Sequence, residues 1–218
     1  MRTRRALTLL EVMIAGAILA LLIVLALGLL QDTSQSVGDS LRMGDTAQRA
    51  NGMVLDLYRE LRPAGQFVLA GTALSPAGKF TSVTYRPITG FDFAATAPAF
   101  GRLRQLRFVY DSGEAGPGNG NGLDDDRDGL VDEGRLELLE DANDDGDPTD
   151  DGVRAVLALD VLGGDAISFA VVPSGTATPD LSQDREITVQ FTIARRLPAR
   201  GEIHREPRTV RIGLRNSP

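Results

Sequence analysis

The 218-residue chain carries 30 acids against 23 lysines and arginines, a formal charge of −7, with one histidine, no cysteine and no tryptophan. Disulfide frameworks and cysteine-based metal or redox chemistry are excluded, and the acidic balance argues against generic nucleic-acid binding. The length allows one ordinary domain beyond an anchor, and His204, placed by the sequence in a polar loop, has no second histidine with which to build a triad or a zinc site.

The first stretch, ALTLLEVMIAGAILALLIVLALGLL at residues 6–30, organises everything after it. Arg2, Arg4 and Arg5 precede it, and Glu11 is its one acid. Residues 12–30 are 19 positions without charge, proline or polar side chain. As a helix they rise about 28 Å, close to the hydrocarbon thickness of a bilayer. Arginines before the run and an acidic chain after it place the N-terminus in the cytoplasm. A cleaved secretory signal fits less well: the run exceeds the usual apolar core of about 7–15 residues. Leu30, Gln31, Asp32 and Thr33 also offer no small-x-small cleavage site behind it.

A carboxylate at the edge of a membrane helix costs on the order of 2–3 kcal/mol, so Glu11 asks for a function. The run Ala6-Leu7-Thr8-Leu9-Leu10-Glu11-Val12-Met13-Ile14-Ala15 resembles the prepilin signal of type IV pilins and type II secretion pseudopilins. That resemblance implies a leader of residues 1–6 cut by a prepilin peptidase between Ala6 and Leu7, with Leu7 methylated as the new N-terminus. It also implies assembly into a helical filament, in which Glu11 meets the N-terminal ammonium of a neighbouring subunit. The family usually has Gly at the position of Ala6 and Phe at that of Leu7. Removing the leader takes away three arginines and leaves −10 on the side chains. Within the helix, Gly16 and Ala20 stand four apart, with Ala15 and Ala17 beside them, and let neighbouring helices approach closely.

Residues 31–62 continue the helical signal. Val37, Leu41, Ala47, Ala50, Val54, Leu57 and Leu61 form an apolar stripe, which Pro63 and Gly65 close. Gly38, Gly44 and Gly52 weaken this half and predict a bend or frayed turn near residues 32–40. From residue 63 the period changes to that of strands. Runs are expected at 66–70, 79–86, 102–110, 135–139, 153–159, 167–172, 186–195 and 208–214. Along residues 186–193 the alternation is strict, and a loop over 198–207 joins the last two runs into a hairpin. The expected fold is α+β: a long N-terminal helix, membrane-spanning in its first half (7–30) and amphipathic in its second (31–62), packed on an antiparallel sheet domain (63–218). Leu55-Asp56-Leu57-Tyr58-Arg59-Glu60-Leu61-Arg62 before an all-β body is most similar to the larger minor pseudopilins of the J type and the related W-type minor pilins.

An acidic insertion at 112–151 interrupts the strands. Asp124, Asp126 and Asp128 at alternate positions, then Gly129, Leu130, Asp132 and Glu133, fit the opening of a DxDxDG calcium loop in which Leu130 offers its carbonyl. Arg135 stands where an EF-hand has its closing acid, so Asp132 or Glu133 has to close the site. Asp141, Asn143, Asp145 and Asp147 repeat the opening, with Pro148 behind them. A structural Ca²⁺ is therefore expected at the first loop and, less completely, at the second; the bland alternative is a solvated acidic loop. Residues 111–160 hold 17 acids against three arginines, whereas residues 185–218 hold eight arginines against three acids, a polarity that reads either as two solvated faces or as head-to-tail complementarity of subunits.

No GxSxG or phosphate-binding glycine loop is present, and paired carboxylates occur only in the acidic loops, so no enzymatic activity is expected. The expected role is a minor pseudopilin or minor pilin of the inner membrane, near the tip of a pseudopilus or pilus. Its partners would be other pilin-like subunits, the prepilin peptidase, the inner-membrane assembly platform and exported cargo. A calcium-stabilised adhesive pilin and a membrane-anchored domain that never polymerises are the alternatives.

Overall fold

The computed structural model describes residues 9–74, 79–111, 122–124, 126–163, 167–172, 186–198 and 201–214. One helix, α1, runs over Leu9–Leu61, 53 residues and about 80 Å along its axis. It is helical throughout residues 32–40, where a frayed turn was expected. Thr33 and Ser40 donate their hydroxyls back to the carbonyls of Leu29 and Ser36, at 2.7 and 2.9 Å, so these polar groups are absorbed by the helix instead of opening it. The Arg62 amide bonds the Tyr58 carbonyl at 3.1 Å, and Pro63, lacking an amide hydrogen, ends the element.

The helix faces two environments. Every residue from 9 to 37 is exposed, and this half makes α1 long and apolar enough to cross a membrane. The second half lies against the sheet, but on a line different from the expected stripe. Asp39, Thr46, Ala50, Met53, Leu57 and Leu61 are buried, at spacings of three, four or seven, while Val37 and Leu41 are 53% and 71% exposed. Hydrophobicity alone misplaces the upper end of this line. There α1 meets the polar end of a strand pair, and the side chains turned inward are an acid and a hydroxyl, with Thr46 bonding the Arg42 carbonyl at 2.9 Å.

Nine strands follow among the described residues: β1 (Ala64–Leu74), β2 (Lys79–Asp92), β3 (Ala97–Phe100), β4 (Arg104–Tyr110), β5 (Glu133–Glu140), β6 (Val153–Leu162), β7 (Ser168–Val172), β8 (Glu186–Leu197) and β9 (Glu202–Gly213). All pairings are antiparallel, in the order β1-β2-β4-β5-β6-β8-β7. β7 returns to β2 through Phe80 and Phe169, while β3 pairs with β2 and β9 with β8. This is the expected α+β architecture, with α1 packed chiefly on β8, β9 and β6. Alternation along β8 delivers Ile187, Val189, Phe191 and Ile193 to the core, where they join Leu57, Leu106, Leu136, Phe169 and Ile212.

Two expectations are corrected here. The loop over 198–207 is shorter, because β9 begins at Glu202 and pairs His204 with Arg195 and Pro207 with Thr192. His204 is therefore a half-buried strand residue whose Nε2 lies 3.6 Å from Glu206. Pro207 is tolerated because β9 pairs only with β8 among the described residues, and an edge strand can spare one amide. β3 was not anticipated; it forms a hairpin with the end of β2 that carries Phe91 and Phe93, stacked edge to face at 5.4 Å and 50% and 88% exposed.

Charged clusters fasten both ends of the docked half. At the far end Glu60 accepts the Tyr85 hydroxyl at 3.0 Å and the Arg104 guanidinium at 2.9 Å, and Arg104 also donates to Glu140 at 2.9 Å. Burial, reinforced by Glu60, pushes the Tyr85 hydroxyl far above its ordinary range. At the near end Asp45 pairs with Arg195 of β8 and with Arg49 at 3.1 Å, and Arg49 reaches Asp160 of β6 at 3.3 Å.

Asp160 sits at an irregularity of β6 with φ at 57°. Its carboxyl is lifted above the usual range by burial first; Arg49 and Arg195 oppose that, while Asp128 and Asp111 add to it. Its charged form is thus disfavoured in the fold. The associated stability is complete below the ordinary carboxylate pKa and is lost as the pH rises through the raised folded value. Asp160→Asn, which tolerates the same backbone, is expected to raise the melting temperature at pH 7–8. The gain should vanish below about pH 4, as a series of thermal melts across that range will show.

Candidate functional site

The processing residues Ala6 and Leu7 lie outside the described residues. Glu11 stands in the first turn of α1, on the exposed apolar half. It is the only acid or base among positions 9–30, so the structure carries one charge into the segment that suits a bilayer.

The acidic loops hang between strands at opposite ends of β5: the first leads into Glu133, beside the finish of β6, and the second follows Glu140, before the start of β6. In the first, Asp124, Asp126 and Asp128 each bring one carboxylate oxygen to within 4.8 Å of the others. Backbone hydrogen bonds hold them there. The Gly129 amide donates to Asp124 Oδ2 at 3.0 Å, the Asp128 amide to Asp126 Oδ1 at 2.9 Å, and the Leu130 amide to Asp128 Oδ1 at 2.7 Å. Gly129 makes the sharp turn with φ at 97°, a conformation that side chains oppose. Leu130, 4% exposed, anchors the loop to the body.

One oxygen of this group lacks a donor. Asp124 Oδ1 is buried and accepts no hydrogen bond, although its other oxygen is satisfied. A buried carboxylate oxygen without a donor is costly unless a cation meets it. Asp132 and Glu133 stand outside the group of three. Asp132 Oδ2 accepts the Gly122 amide at 2.8 Å, bracing the loop, and Glu133 is 2% exposed at the head of β5.

The second loop repeats the scaffold with a different outcome. The Gly146 amide donates to Asp141 Oδ2 at 2.8 Å, matching the bond from Gly129 to Asp124, and Gly146 has φ at 95°. Here, however, donors of the chain reach both oxygens of Asp141 and of Asp145. Asp141 Oδ1 takes the Asp145 amide at 3.2 Å, and Asp145 takes the Asp147 amide and the Asn143 side-chain amide at 2.9 and 3.1 Å. Asp147 accepts from Thr149, which holds its carboxyl below the usual range. Asp150 is pushed the other way, by desolvation first and then by Asp145, Asp151 and Asp147. Asp141 and Asp145 of the second loop are satisfied at both oxygens within the chain, so this loop calls less for an ion than the first.

Two residues that the sequence did not single out flank the first loop. Arg196 of β8 lies across Gly129 and donates from Nη1 to the Asp128 carbonyl at 3.4 Å. Asp160 adds negative charge from the β6 side. No local signal marks either, since Arg196 is 68 residues from the carbonyl it reaches. The acidic insertion and the basic hairpin therefore meet inside one molecule, which absorbs part of the charge polarity seen in the sequence.

Compared with known proteins, the chain matches no family model, no curated protein and no solved structure.

Gly129 tests the loop directly. A Cβ there would stand 2.5 Å from Arg196 Cδ on a backbone that L-residues avoid, whereas one at Gly152 meets nothing within 4 Å. Gly129→Ala should cost about 1–2 kcal/mol more than Gly152→Ala in denaturant unfolding of the full chain in detergent.

Proposed function

We propose that this protein is a membrane-anchored subunit of a pilus-like filament, a minor pseudopilin or minor pilin. In this reading prepilin peptidase cuts between Ala6 and Leu7, and the body lies on the outer side of the inner membrane. The observation that carries the proposal is the division of α1. One continuous helix leaves its first half wholly exposed and apolar with Glu11 on the opening turn, and seats its second half on a β-sheet. An anchor alone needs no acid on its first turn and no rigid continuation into the body. A helix that must leave lipid and pack among its like gains from both: Glu11 meets a neighbour's amino terminus, and the unbroken rod transmits its position to the domain. Exposed Val37, Leu41 and Leu55, on the sides of α1 turned away from the sheet, extend the apolar surface offered to a neighbour beyond the lipid half. Other pilin-like subunits, the inner-membrane assembly platform and exported cargo are the partners this implies.

Glu11→Ala separates assembly from anchoring. The variant should insert into membranes like the wild type and be lost from filaments or from cross-linked complexes with other subunits. Equal incorporation of both proteins would leave only the anchored, non-polymerising domain.

The first acidic loop is proposed as a structural calcium site held by Asp124, Asp126 and Asp128 with help from the Leu130 carbonyl. What supports it is the orphaned Asp124 oxygen, together with carboxylate oxygens that all stand within 4.8 Å of one another. Two ligands on opposite sides of a calcium ion lie at most about 5 Å apart, so the spacing fits. When bound, the ion supplies positive charge to a crowded acidic turn. Adding millimolar calcium to chelator-treated protein should raise the melting temperature of the wild type by several degrees and leave Asp124→Asn unmoved. An identical melt with and without calcium removes the site from the account.

A further inference from the structure

We propose that Arg196 is a built-in competitor of the cation: its guanidinium occupies the flank of the first acidic loop and links filling of that loop to the seat of α1. The proposal rests on the calcium reading above and adds its regulation. Three observations place the side chain. A Cβ on Gly129 would stand 2.5, 2.8 and 2.9 Å from Cδ, Nη1 and Nε of Arg196, so the arginine side chain lies against the glycine that makes the loop's sharp turn. Nη1 also donates to the carbonyl of Asp128, a residue whose carboxylate belongs to the group of three. A side chain at position 129 would exclude this approach, so the glycine serves both the turn and the arginine.

The same arginine touches the helix. Its carbonyl accepts Arg42 Nη1 of α1 at 3.5 Å, and its neighbour Arg195 pairs with Asp45 of α1. Asp45 shares Arg49 with Asp160, which in turn feels the charge of Asp128. The acidic loop, the end of β8 and the middle of α1 are thus joined by adjacent charges.

In the cation-free chain the guanidinium offsets part of the loop's negative charge. A divalent ion entering the group of three meets a like charge close by and has to bind against it. Removing that charge should tighten calcium binding on the order of fivefold, the effect of a single charge standing about 8 Å from a divalent ion in water. By linkage, whatever favours one occupant disfavours the other, and the helix contacts that position Arg196 bias the choice.

The test is calorimetric titration of calcium into the full chain in detergent. It compares wild type with Arg196→Gln, Arg196→Lys and Arg205→Gln; the last removes the same charge from an exposed position on β9 and reports the general effect of net charge. Arg196→Gln is expected to bind about fivefold tighter, Arg196→Lys to stay near wild type, and Arg205→Gln to change by less than twofold. Equal shifts in the two glutamine variants, or weaker binding by Arg196→Gln, would overturn the competition while leaving the calcium site standing. No saturable binding by either wild type or Arg196→Gln would overturn both. Arg196 is exposed, and matching circular dichroism spectra will show that the variants are folded.

Discussion

A single helix has to satisfy two solvents, and the rest of the molecule is arranged around that demand. Along residues 9–30 α1 offers apolar side chains and one acid to whatever surrounds it; along its second half it offers a narrow buried line to a sheet. Here continuity is kept through three glycines because the second half is fastened by packing and by charge, not by propensity.

The fastening uses the same chemistry at both ends. Near Leu61, where the helix finishes, Glu60 is enclosed by Tyr85 and Arg104, and Arg104 is shared with Glu140. Near the start of the docked half Asp45, Arg49, Arg195 and Asp160 form a second cluster. Between them lie Ala50, Met53 and Leu57, essentially without solvent contact. Apolar burial supplies the attraction, and the two clusters set the register by which α1 lies on β8 and β9, because a slip would strand charges away from their partners. Glu137 obeys the same logic away from the helix: at 3% exposure it is met by both Arg107 and Arg135.

The acidic loops follow a different rule. Glu60, Glu137, Glu140, Asp45 and Asp160 of the body are paired with arginines, whereas Asp124, Asp126, Asp128, Asp141 and Asp145 of the loops are held by backbone amides, which fix their oxygens without neutralising them. In the second loop the amides and Asn143 reach both oxygens of Asp141 and Asp145; in the first, one oxygen of Asp124 is left over and Arg196 leans in from the side. Sequences that open alike have become one self-contained turn and one turn that still has charge to share.

The long helix, its apolar half and Glu11 were legible in the sequence because each depends on neighbours in the chain, and so was the alternation of β8. The register of the docked stripe was not, since hydrophobicity favours Val37 and Leu41 where the sheet end instead receives Asp39 and Thr46. The start of β9 was hidden by Pro207, which an edge strand tolerates. The partners of Asp128, Arg49 and Asp45 could not be read at all: they lie 68, 111 and 150 residues away, and only the closed path of strands brings them together. The carboxylate spacing of the first loop was legible; the arginine beside it was not.

The claim that a filament subunit begins at the first apolar residue after the basic leader is tested most directly by the mass and N-terminal sequence of the protein recovered from membranes. The account predicts a chain that starts at Leu7 and carries one added methyl group on its amino terminus. A chain that keeps residues 1–6, or one cut beyond the apolar run, would contradict it and leave an exported β-rich body with an acidic loop.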